Sequence, residues 1–379
     1  MPDNKKHHYV PRFYLKRFSS DGRSICLWNI KNQIKIGSAN LKHQCYKDYF
    51  YGKELKVEKA LGLVESHAAH IFHLIDEYLA PPPYDSEEFL TLVLYMLMQY
   101  GRTAYSADAL DEMNDKMMKH LFGPIAEAEG IDLSKFTIGI KDSAQYSLGM
   151  VSQFYPLMLD LGCKLVLNET STDFVASDNP VVLYNQLLSF RNHGSNTGLA
   201  AKGLQVFLPI SSNKLLMFFD HESYSVGSMS KPFVRVTSLR DVYELNTLQM
   251  TSAYENVYFE NPNFEIEPLA RKATPFRRSQ KSNMSIFPGE ETESKRSELM
   301  ATSRVDVRTN LKLSFVGLSR SAKLWRKRFR KLRFQPAVVV RNEELVDDHD
   351  NFMKKVDDGE FNPGDFFKYL SQKHERANN

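Results

Sequence analysis

Cysteine is scarce in this sequence, which has three residues of this type, Cys26, Cys45 and Cys163, among 379. A small, odd number of cysteines does not build a disulfide framework and fits a reducing compartment. We expect each of the three to be a small buried hydrophobic side chain. The cytoplasm is therefore the expected location of the protein.

Long apolar runs are also lacking. The longest one, residues 89–100, is too short to cross a bilayer core of about 30 Å as a helix. The N-terminal residues MPDNKKHHYVPR carry charges but have no apolar stretch and no small-residue cleavage site, so they do not resemble a secretory signal. The sequence therefore predicts no transmembrane segment and no export signal.

Neither sign of charge dominates, because the formal net charge is only +3 at pH 7. This balance does not by itself indicate a nucleic-acid partner, so any basic surface must be local. Apolar residues make up 42% and charged residues 25%, which is typical of a chain that buries a core. The sequence has no Walker A loop, dinucleotide-binding glycine fingerprint or G-x-S-x-G elbow. Their absence argues against P-loop enzymes, Rossmann oxidoreductases and typical serine hydrolases.

Apolar periodicity predicts helices first and strands later. Residues 11–18 are expected to form a short helix, followed by a hairpin at residues 24–29 and 33–36. A stripe at spacings of four and three then predicts a long amphipathic helix. Helices first and strands later indicate an α+β fold, with the helical N-terminal half packed on a mainly antiparallel sheet. The predicted helices span about 53–79, 89–101, 106–121, 143–160 and 238–259, and the strands span 163–169, 173–178, 180–184, 204–210 and 214–220.

The composition changes after about residue 262. We interpret residues 1–262 as a core that holds the N-terminal motif and hairpin, a helical region at 53–160, a sheet at 163–220 and the helix at 238–259. Residues 263–303 are polar and are expected to form a linker. Residues 304–379 form a C-terminal extension with a basic segment and an acidic stretch at 343–350.

Seven short segments resemble, in order, the family catalogued as domain of unknown function 4238, over residues 1 to about 262. The family name carries no activity, so the resemblance implies only which positions are characteristic. The segments are HHYVPRFYLKRF (7–18), LWNIKN (27–32), KHQCYKDYFY (42–51), QYGRT (99–103), FVASDNPV (174–181), LPISSNKLLMF (208–218) and ELNTLQMTSAYENVYFEN (244–261). The positions are His7, His8, Pro11, Gln99, Arg102, Asp178, Asn179, Asn246 and Gln249.

The adjacent pair His7 and His8 is the most informative motif. Neighbouring side chains diverge and rarely bind one ion together, so we expect the two rings to have different roles. The string His-His-x-x-Pro is similar to the first motif of HNH nucleases. That resemblance implies that His7 ligates a metal and that His8 is the general base that activates water. The predicted helix directly after His8 departs from the HNH pattern. In the alternative interpretation, the histidines pin the N-terminal helix.

A second group of polar residues lies in otherwise apolar segments. Asp178 follows a predicted strand and could ligate Mg²⁺, Mn²⁺ or Zn²⁺, or belong to a simple turn. Gln99 and Arg102 lie one helical turn apart in the most apolar helix, where a buried arginine needs an anion. We expect Asp178 to be the partner of Arg102, with a substrate phosphate as the second choice. Three amides are expected to give hydrogen-bonding support, namely Asn179, Asn246 and Gln249.

Residues 321–335 carry the strongest local charge. On a helix, Trp325, Phe329 and Leu332 would form one apolar face. The cations around it would bind DNA or RNA backbones by counterion release, and the rings could stack on bases. The alternatives are a helix on anionic lipid and a docked helix whose basic face pairs with residues 343–350. The cations are Lys323, Arg326, Lys327, Arg328, Arg330, Lys331 and Arg333.

Together these residues predict a metal-dependent nuclease or related phosphodiesterase. In this hypothesis His8 activates water, His7 and Asp178 hold a divalent ion, and Arg102 stabilises the phosphate charge. Gln99 is a further candidate catalytic residue. The alternative is a non-catalytic protein that binds nucleic acid or a ligand and whose polar residues are structural. A third alternative is a defence or toxin-type effector that uses other chemistry.

Overall fold

The N-terminal half is mostly helical. The computed structural model describes residues 5–84, 86–192, 194–292 and 295–377. Its first elements are β1 (Lys6–His8), α1 (Arg12–Leu15), β2 (Ser24–Asn29), β3 (Ile34–Asn40), β4 (Tyr46–Asp48), α2 (Lys56–Tyr78), α3 (Glu87–Gly101), α4 (Ala104–Ala128) and α5 (Ser143–Ser152).

Helices α2 and α3 form where the apolar pattern predicts them. Most of the apolar stripe of α2 is buried, and the helix ends at Tyr78. The next residue, Leu79, has a left-handed φ of 50°, and its N–H still donates to the carbonyl of Ile75. Three prolines follow and prevent a further turn. Helix α3 begins at a cap in which Ser86 Oγ accepts a hydrogen bond from the N–H of Phe89. Its buried side chains place it in the middle of the core.

The central part of the chain holds two mainly antiparallel sheets. The larger has the order β11-β5-β9-β8-β7, in which the pair β11 and β5 is parallel and the other pairs are antiparallel. The smaller has the order β3-β2-β12-β6, with antiparallel pairs throughout. The fold is therefore α+β, as predicted. The elements are β5 (Gly162–Asn168), β6 (Ala176–Ser177), β7 (Val182–Tyr184), β8 (Gln205–Ser211), β9 (Lys214–Phe219), β10 (Tyr224–Val226), β11 (Phe233–Val236), α6 (Leu239–Ser252) and β12 (Asn256–Phe259).

Helix α6 is shorter than predicted. The sequence predicts a helix through residue 259, but the helix ends at Ser252 and the following residues form strand β12. The physical reason is that Asp178 accepts hydrogen bonds from the backbone N–H groups of residues 254–256. Those groups would otherwise continue the helical ladder. Strand β12 then fills the space between β2 and β6.

Residues 263–303 contain regular structure in place of the expected linker. Strands β13 and β14 pair antiparallel from Ser282 opposite Arg304. Helix α4 anchors the pair, since Lys116 Nζ donates to the carbonyl of Ser282 at 2.7 Å. Composition missed this hairpin because its stability comes from contacts with a distant helix. The last elements are α7 (Ile266–Ala273), β13 (Ser282–Thr292), β14 (Lys295–Arg304), β15 (Val316–Leu318), α8 (Arg320–Phe329), α9 (Glu343–Asp357) and α10 (Phe366–Ala377).

The C-terminal elements share the core of the preceding part of the chain. Phe352 and Phe366 belong to the same apolar cluster as Phe89. Leu311 and Ala322 pack with the residues of the larger sheet. The predicted division into a core and an extension thus does not correspond to separate apolar cores. Among the described helices, none combines the length and apolarity needed to cross a membrane.

Candidate functional site

Strand pairing positions the two histidines of the HHxxP motif. Strand β1 pairs antiparallel with β4, so that His7 lies opposite Lys47 and His8 lies opposite Tyr46. His7 is fully buried. Its Nδ1 accepts a 3.1 Å hydrogen bond from the backbone N–H of Tyr51, and the two rings stack at 5.8 Å between centroids. Because Nδ1 is an acceptor, the neutral ring of His7 carries its proton on Nε2.

Arg102 lies directly after α3 and is a buried cation. Its Nε donates to Gln99 Oε1 at 3.0 Å, and its Nη1 donates to Glu65 Oε1 at 2.8 Å. Gln99 in turn donates to the carbonyl of Tyr9 at 3.0 Å. Burial lowers the pKa of Arg102, but the charge and hydrogen bond of Glu65 together with Tyr51 and Tyr95 outweigh it, so the pKa is raised. The expected pair between Arg102 and Asp178 is not formed, because Glu65 supplies the carboxylate.

His8 is the half-buried member of the pair. Burial lowers its pKa from the ordinary value of 6.5, and the charges of Arg12 and Arg102 lower it further, although a backbone hydrogen bond with Lys42 raises it. A lowered pKa favours the neutral ring at neutral pH. His8 is therefore in the protonation state that a general base requires.

Several polar groups surround the guanidinium of Arg102. Burial raises the pKa of Glu58, while the charges of His7 and Arg102 lower it. Burial also raises the pKa of Tyr95, although the charge of Arg102 lowers it. In the described part of the chain, four buried atoms here have no hydrogen-bond partner: His7 Nε2, His8 Nε2, Arg102 Nη2 and Tyr95 Oη. We call the following set the His–Arg centre: His7, His8, Glu58, Glu65, Tyr95, Gln99 and Arg102.

Unpartnered buried atoms are rare in native proteins, where more than 90% of such groups are hydrogen-bonded. Four of them around one guanidinium therefore indicate a place for water or for a polar ligand. Three of the four belong to the two segments that look characteristic in the sequence, and the chain brings these segments together through the Gln99–Tyr9 contact. The His–Arg centre is thus built from residues far apart in the chain.

Asp178 lies in a different polar network. Its carboxylate accepts hydrogen bonds from the backbone N–H groups of Tyr254 (2.7 Å), Glu255 (2.7 Å) and Asn256 (3.0 Å). Burial raises the pKa of Asp178 to about 6, although these three bonds lower it. Both carboxylate oxygens are therefore occupied by the backbone that follows α6.

The three predicted amides hold the same loop against α6. Asn179 Nδ2 donates to the carbonyl of Ser252 at 3.1 Å. Asn246 Oδ1 accepts from the N–H of Val175 at 3.0 Å. Gln249 Nε2 donates to the carbonyl of Pro180 at 2.7 Å. Because these bonds join buried groups to the backbone, they support the loop that carries Asp178. Each amide also makes a further bond: Asn246 donates to the carbonyl of Asp173, Asn179 accepts from the hydroxyl of Thr103, and Gln249 accepts from the hydroxyl of Ser177.

The two predicted metal ligands, His7 and Asp178, lie in different hydrogen-bond networks. Asp178 uses both oxygens on backbone amides, and His7 Nδ1 is occupied by Tyr51. Among the residues that the structure describes, no group of three or more His, Cys, Asp or Glu side chains is arranged to hold a metal ion. Binding of a divalent ion at the His–Arg centre stays a prediction.

Helix α8 packs against the rest of the protein through fewer apolar residues than the sequence predicts. Trp325 and Phe329 stack with their centroids 4.5 Å apart, and Phe329 is buried. The helix ends at Phe329, so Leu332 lies beyond it and is exposed. Arg326 and Arg330 each lie over the ring of Phe190, at 5.3 and 4.9 Å. Phe190 is therefore part of the surface against which α8 packs, although the sequence did not predict its role.

The basic face of this segment is not neutralised by the acidic stretch. Among the ion pairs between described side chains, none joins residues 321–333 to residues 343–350. Six of its seven cations are exposed, and Arg326 is half-buried. The exposed set is Lys323, Lys327, Arg328, Arg330, Lys331 and Arg333.

The most apolar large cavity lies away from this chemistry. It has a volume of about 520 Å³ and is lined by apolar side chains that include Phe89, Leu90 and Phe366. None of the predicted site residues lines it. Of its two acidic residues, Glu87 and Asp160, the latter is paired with Arg341 at 2.7 Å. We therefore place the candidate site at the His–Arg centre.

The fold and the His–Arg centre define an α+β protein with a buried polar centre that two distant motifs assemble. The chain belongs to the family of proteins of unknown function DUF4238, whose model matches residues 6–263. The match includes the whole His–Arg centre and the Asp178 loop, but not α8. Comparisons with curated proteins and with solved structures gave no match.

Proposed function

We propose that this protein hydrolyses phosphodiester bonds in nucleic acid, with His8 as the general base and Arg102 as the group that stabilises the phosphate charge. The observation that carries the proposal is the meeting of the HHxxP and QYGRT motifs. This meeting leaves three nitrogen atoms, on His7, His8 and Arg102, without hydrogen-bond partners. The nitrogen atoms of His7 and Arg102 are donors suited to phosphate oxygens, and the nitrogen of His8 is left to accept a proton from water.

The protonation states support these roles. The lowered pKa of His8 keeps its ring neutral and able to accept a proton from water. The raised pKa of Arg102 keeps its guanidinium charged although it is buried. His8 is the more exposed of the two histidines, so substrate and water would reach the centre from its side. A fixed charge in a dry site stabilises a transition state more strongly than it would in water.

The unpaired cations of residues 321–333 support nucleic acid as the substrate. Six of them are exposed and could replace counterions along a phosphate backbone. In this proposal they bind DNA or RNA, while the His–Arg centre carries out the reaction. The proposal does not require a divalent ion. The experiment described below tests whether one assists the reaction.

One observation favours a second candidate, a non-catalytic protein that binds nucleic acid. His7 is fully buried, stacks on Tyr51 and accepts from its N–H, as a packing residue would. If the whole centre had this structural role, binding through residues 321–333 would remain without any cleavage.

The test is cleavage of single- and double-stranded DNA and RNA by the purified full chain, with Mg²⁺, Mn²⁺ or Zn²⁺, or with EDTA. We expect cleavage to fall by about 10²-fold or more in His8→Ala, because a general base contributes that much. His67→Ala is the matched control, since His67 is an exposed histidine of α2 outside the centre. EDTA distinguishes a metal-assisted reaction from a metal-independent one.

Two results would contradict the proposal. Cleavage that is equal in wild type and His8→Ala would exclude His8 as the base. Salt-sensitive binding without cleavage of any substrate would support the non-catalytic protein.

A further inference from the structure

A second group of unpartnered atoms lies outside the His–Arg centre. In the described part of the chain, five buried atoms on four residues lack a hydrogen-bond partner here: Arg191 Nε and Nη1, Asn196 Oδ1, Thr309 Oγ1 and Arg326 Nε. These residues line two neighbouring cavities of about 620 and 30 Å³, which share Tyr184 and Thr309. We call the two cavities the arginine cleft. Most of its lining residues come from residues 184–197 and residues 306–326.

The arginine cleft is lined by more cations than anions. Arg191, Arg308, Lys312 and Arg326 line it, and Asp306 is the acidic residue of its lining. The carboxylate of Asp306 accepts a hydrogen bond from Thr197 and lies 3.8 Å from Arg308. Neither Arg191 nor Arg326 makes an ion pair with a described carboxylate. The cleft therefore has positive charge that the protein does not compensate.

The guanidinium of Arg191 is the innermost of these groups. Its side chain is 2% exposed, and its Nη2 donates to the carbonyl of Pro336 at 2.6 Å. Burial lowers the pKa of Arg191, although the charge of Asp306 raises it. A buried cation with two unused nitrogen atoms costs free energy unless an anion binds it.

We propose that the arginine cleft binds a phosphorylated sugar, either free or as the ribose phosphate of a mononucleotide. Arg191, Arg326 and Thr309 would donate hydrogen bonds to the phosphate oxygens. Asn196 Oδ1 is an unpartnered acceptor and would bind a hydroxyl group of the sugar. The donors thus correspond to the phosphate of the ligand, and the acceptor corresponds to its sugar.

The dimensions of the cleft fit this class of ligand. The larger cavity, about 620 Å³, is within the range of small-molecule sites, which is roughly 300–1,000 Å³. The smaller one, about 30 Å³, holds one or two water molecules or one end of the ligand. The cleft differs from the exposed cations of α8, because its unpartnered donor atoms are buried and come from different segments of the chain.

The test is isothermal titration of the full chain with ribose 5-phosphate, AMP, inorganic phosphate, ribose and adenosine. We expect the phosphorylated sugars to bind, and ribose and adenosine not to bind. Binding of AMP but not of ribose 5-phosphate would identify a mononucleotide site, and the reverse result would identify a free sugar phosphate.

Variants place the binding in the cleft. Arg326→Gln should weaken binding about tenfold or more, because a charge-assisted hydrogen bond is lost. Thr309→Val removes the unpartnered hydroxyl without changing charge or volume much, and it should weaken binding by a smaller factor. Arg320→Gln is the matched control, since Arg320 is an exposed arginine of the same helix. It should bind as the wild type does.

Three results would overturn the proposal. One is the absence of heat with every phosphorylated probe. Another is an equal loss in Arg320→Gln and Arg326→Gln, which would indicate diffuse attraction to the surface. The third is unchanged affinity in both Arg326→Gln and Thr309→Val when both variants unfold at the wild-type temperature.

Discussion

Arg102 and Glu65 form the ion pair that joins helix α2 to the end of helix α3 within the His–Arg centre. Arg102 Nη1 lies 2.8 Å from Glu65 Oε1, with 1% of the arginine side chain and 27% of the glutamate side chain exposed. The pair compensates the burial of a cation that would otherwise be costly. It also holds the guanidinium next to the two histidines of the centre.

We predict that Glu65→Gln lowers the free energy of unfolding by about 2–3 kcal/mol, because it leaves a buried cation without a counter-charge. Urea unfolding followed by circular dichroism measures the loss. The matched control is Glu54→Gln, which breaks the exposed pair between Glu54 and Lys56. That pair should contribute less than about 1 kcal/mol. Equal losses in the two variants would contradict the role given to Glu65.

The second prediction concerns the carboxyl group of Asp178 and the pH dependence of stability. Its folded-state pKa of about 6 lies above the ordinary value of 3.8. Its contribution to stability is therefore complete below pH 4 and is lost as the pH rises through 6. The shift corresponds to at most about 3 kcal/mol.

Comparison of wild type with Asp178→Asn isolates this contribution from those of other groups. We expect the destabilisation caused by Asp178→Asn to be largest at pH 4 and to decrease toward pH 7, as measured by urea unfolding at each pH. A destabilisation that grows with pH would mean that the three backbone N–H groups stabilise the carboxylate more than burial disfavours it.

Local patterns in the sequence predicted most of the helices and four of the seven residues of the His–Arg centre, but not their partners. His7, His8, Gln99 and Arg102 were all chosen as site residues, and the structure brings them together. Glu65 was missed because an ion pair between two helices depends on which faces meet. A signal was nevertheless present, since Glu65 follows Leu61 by four residues and so lies on the buried face of α2.

The sequence around Asp178 does not distinguish between two roles of its carboxylate. Its position after a strand and before a proline suits a metal ligand and a backbone cap equally well. Only the tertiary structure shows that the amides of residues 254–256 bind it. The same contact ends α6 early, so one long-range interaction explains both differences from the sequence prediction.

A third prediction concerns how α8 is attached. Phe329 and Leu332 belong to the same predicted apolar face, but Phe329 is buried and Leu332 is 50% exposed. Phe329→Ala should cost about 3–5 kcal/mol, as for other buried aromatic side chains. Leu332→Ala should change stability by less than about 0.5 kcal/mol. Thermal and urea unfolding of the two variants test this difference, and similar costs would mean that the helix does not dock through Phe329.

The last prediction is the titration of His8. Because burial and the charges of Arg12 and Arg102 lower its pKa, the ring should take up a proton at a pH below 6.5. In the unfolded chain it should titrate near 6.5, so the stability that His8 contributes is present above that pH and is lost as the pH falls. NMR titration of the histidine ring signals measures the midpoint, with the signal of His8 assigned by its absence in His8→Ala.

Arg12→Gln tests the physical cause of this shift. Arg12 is exposed, so its replacement should leave the fold intact and raise the pKa of His8 toward the ordinary value. The change should be larger at low salt, where charges outside the core are less screened. If His8 titrates well above pH 7 in the folded wild type, its ring is charged at neutral pH. It would then be unsuited to act as the general base of the His–Arg centre.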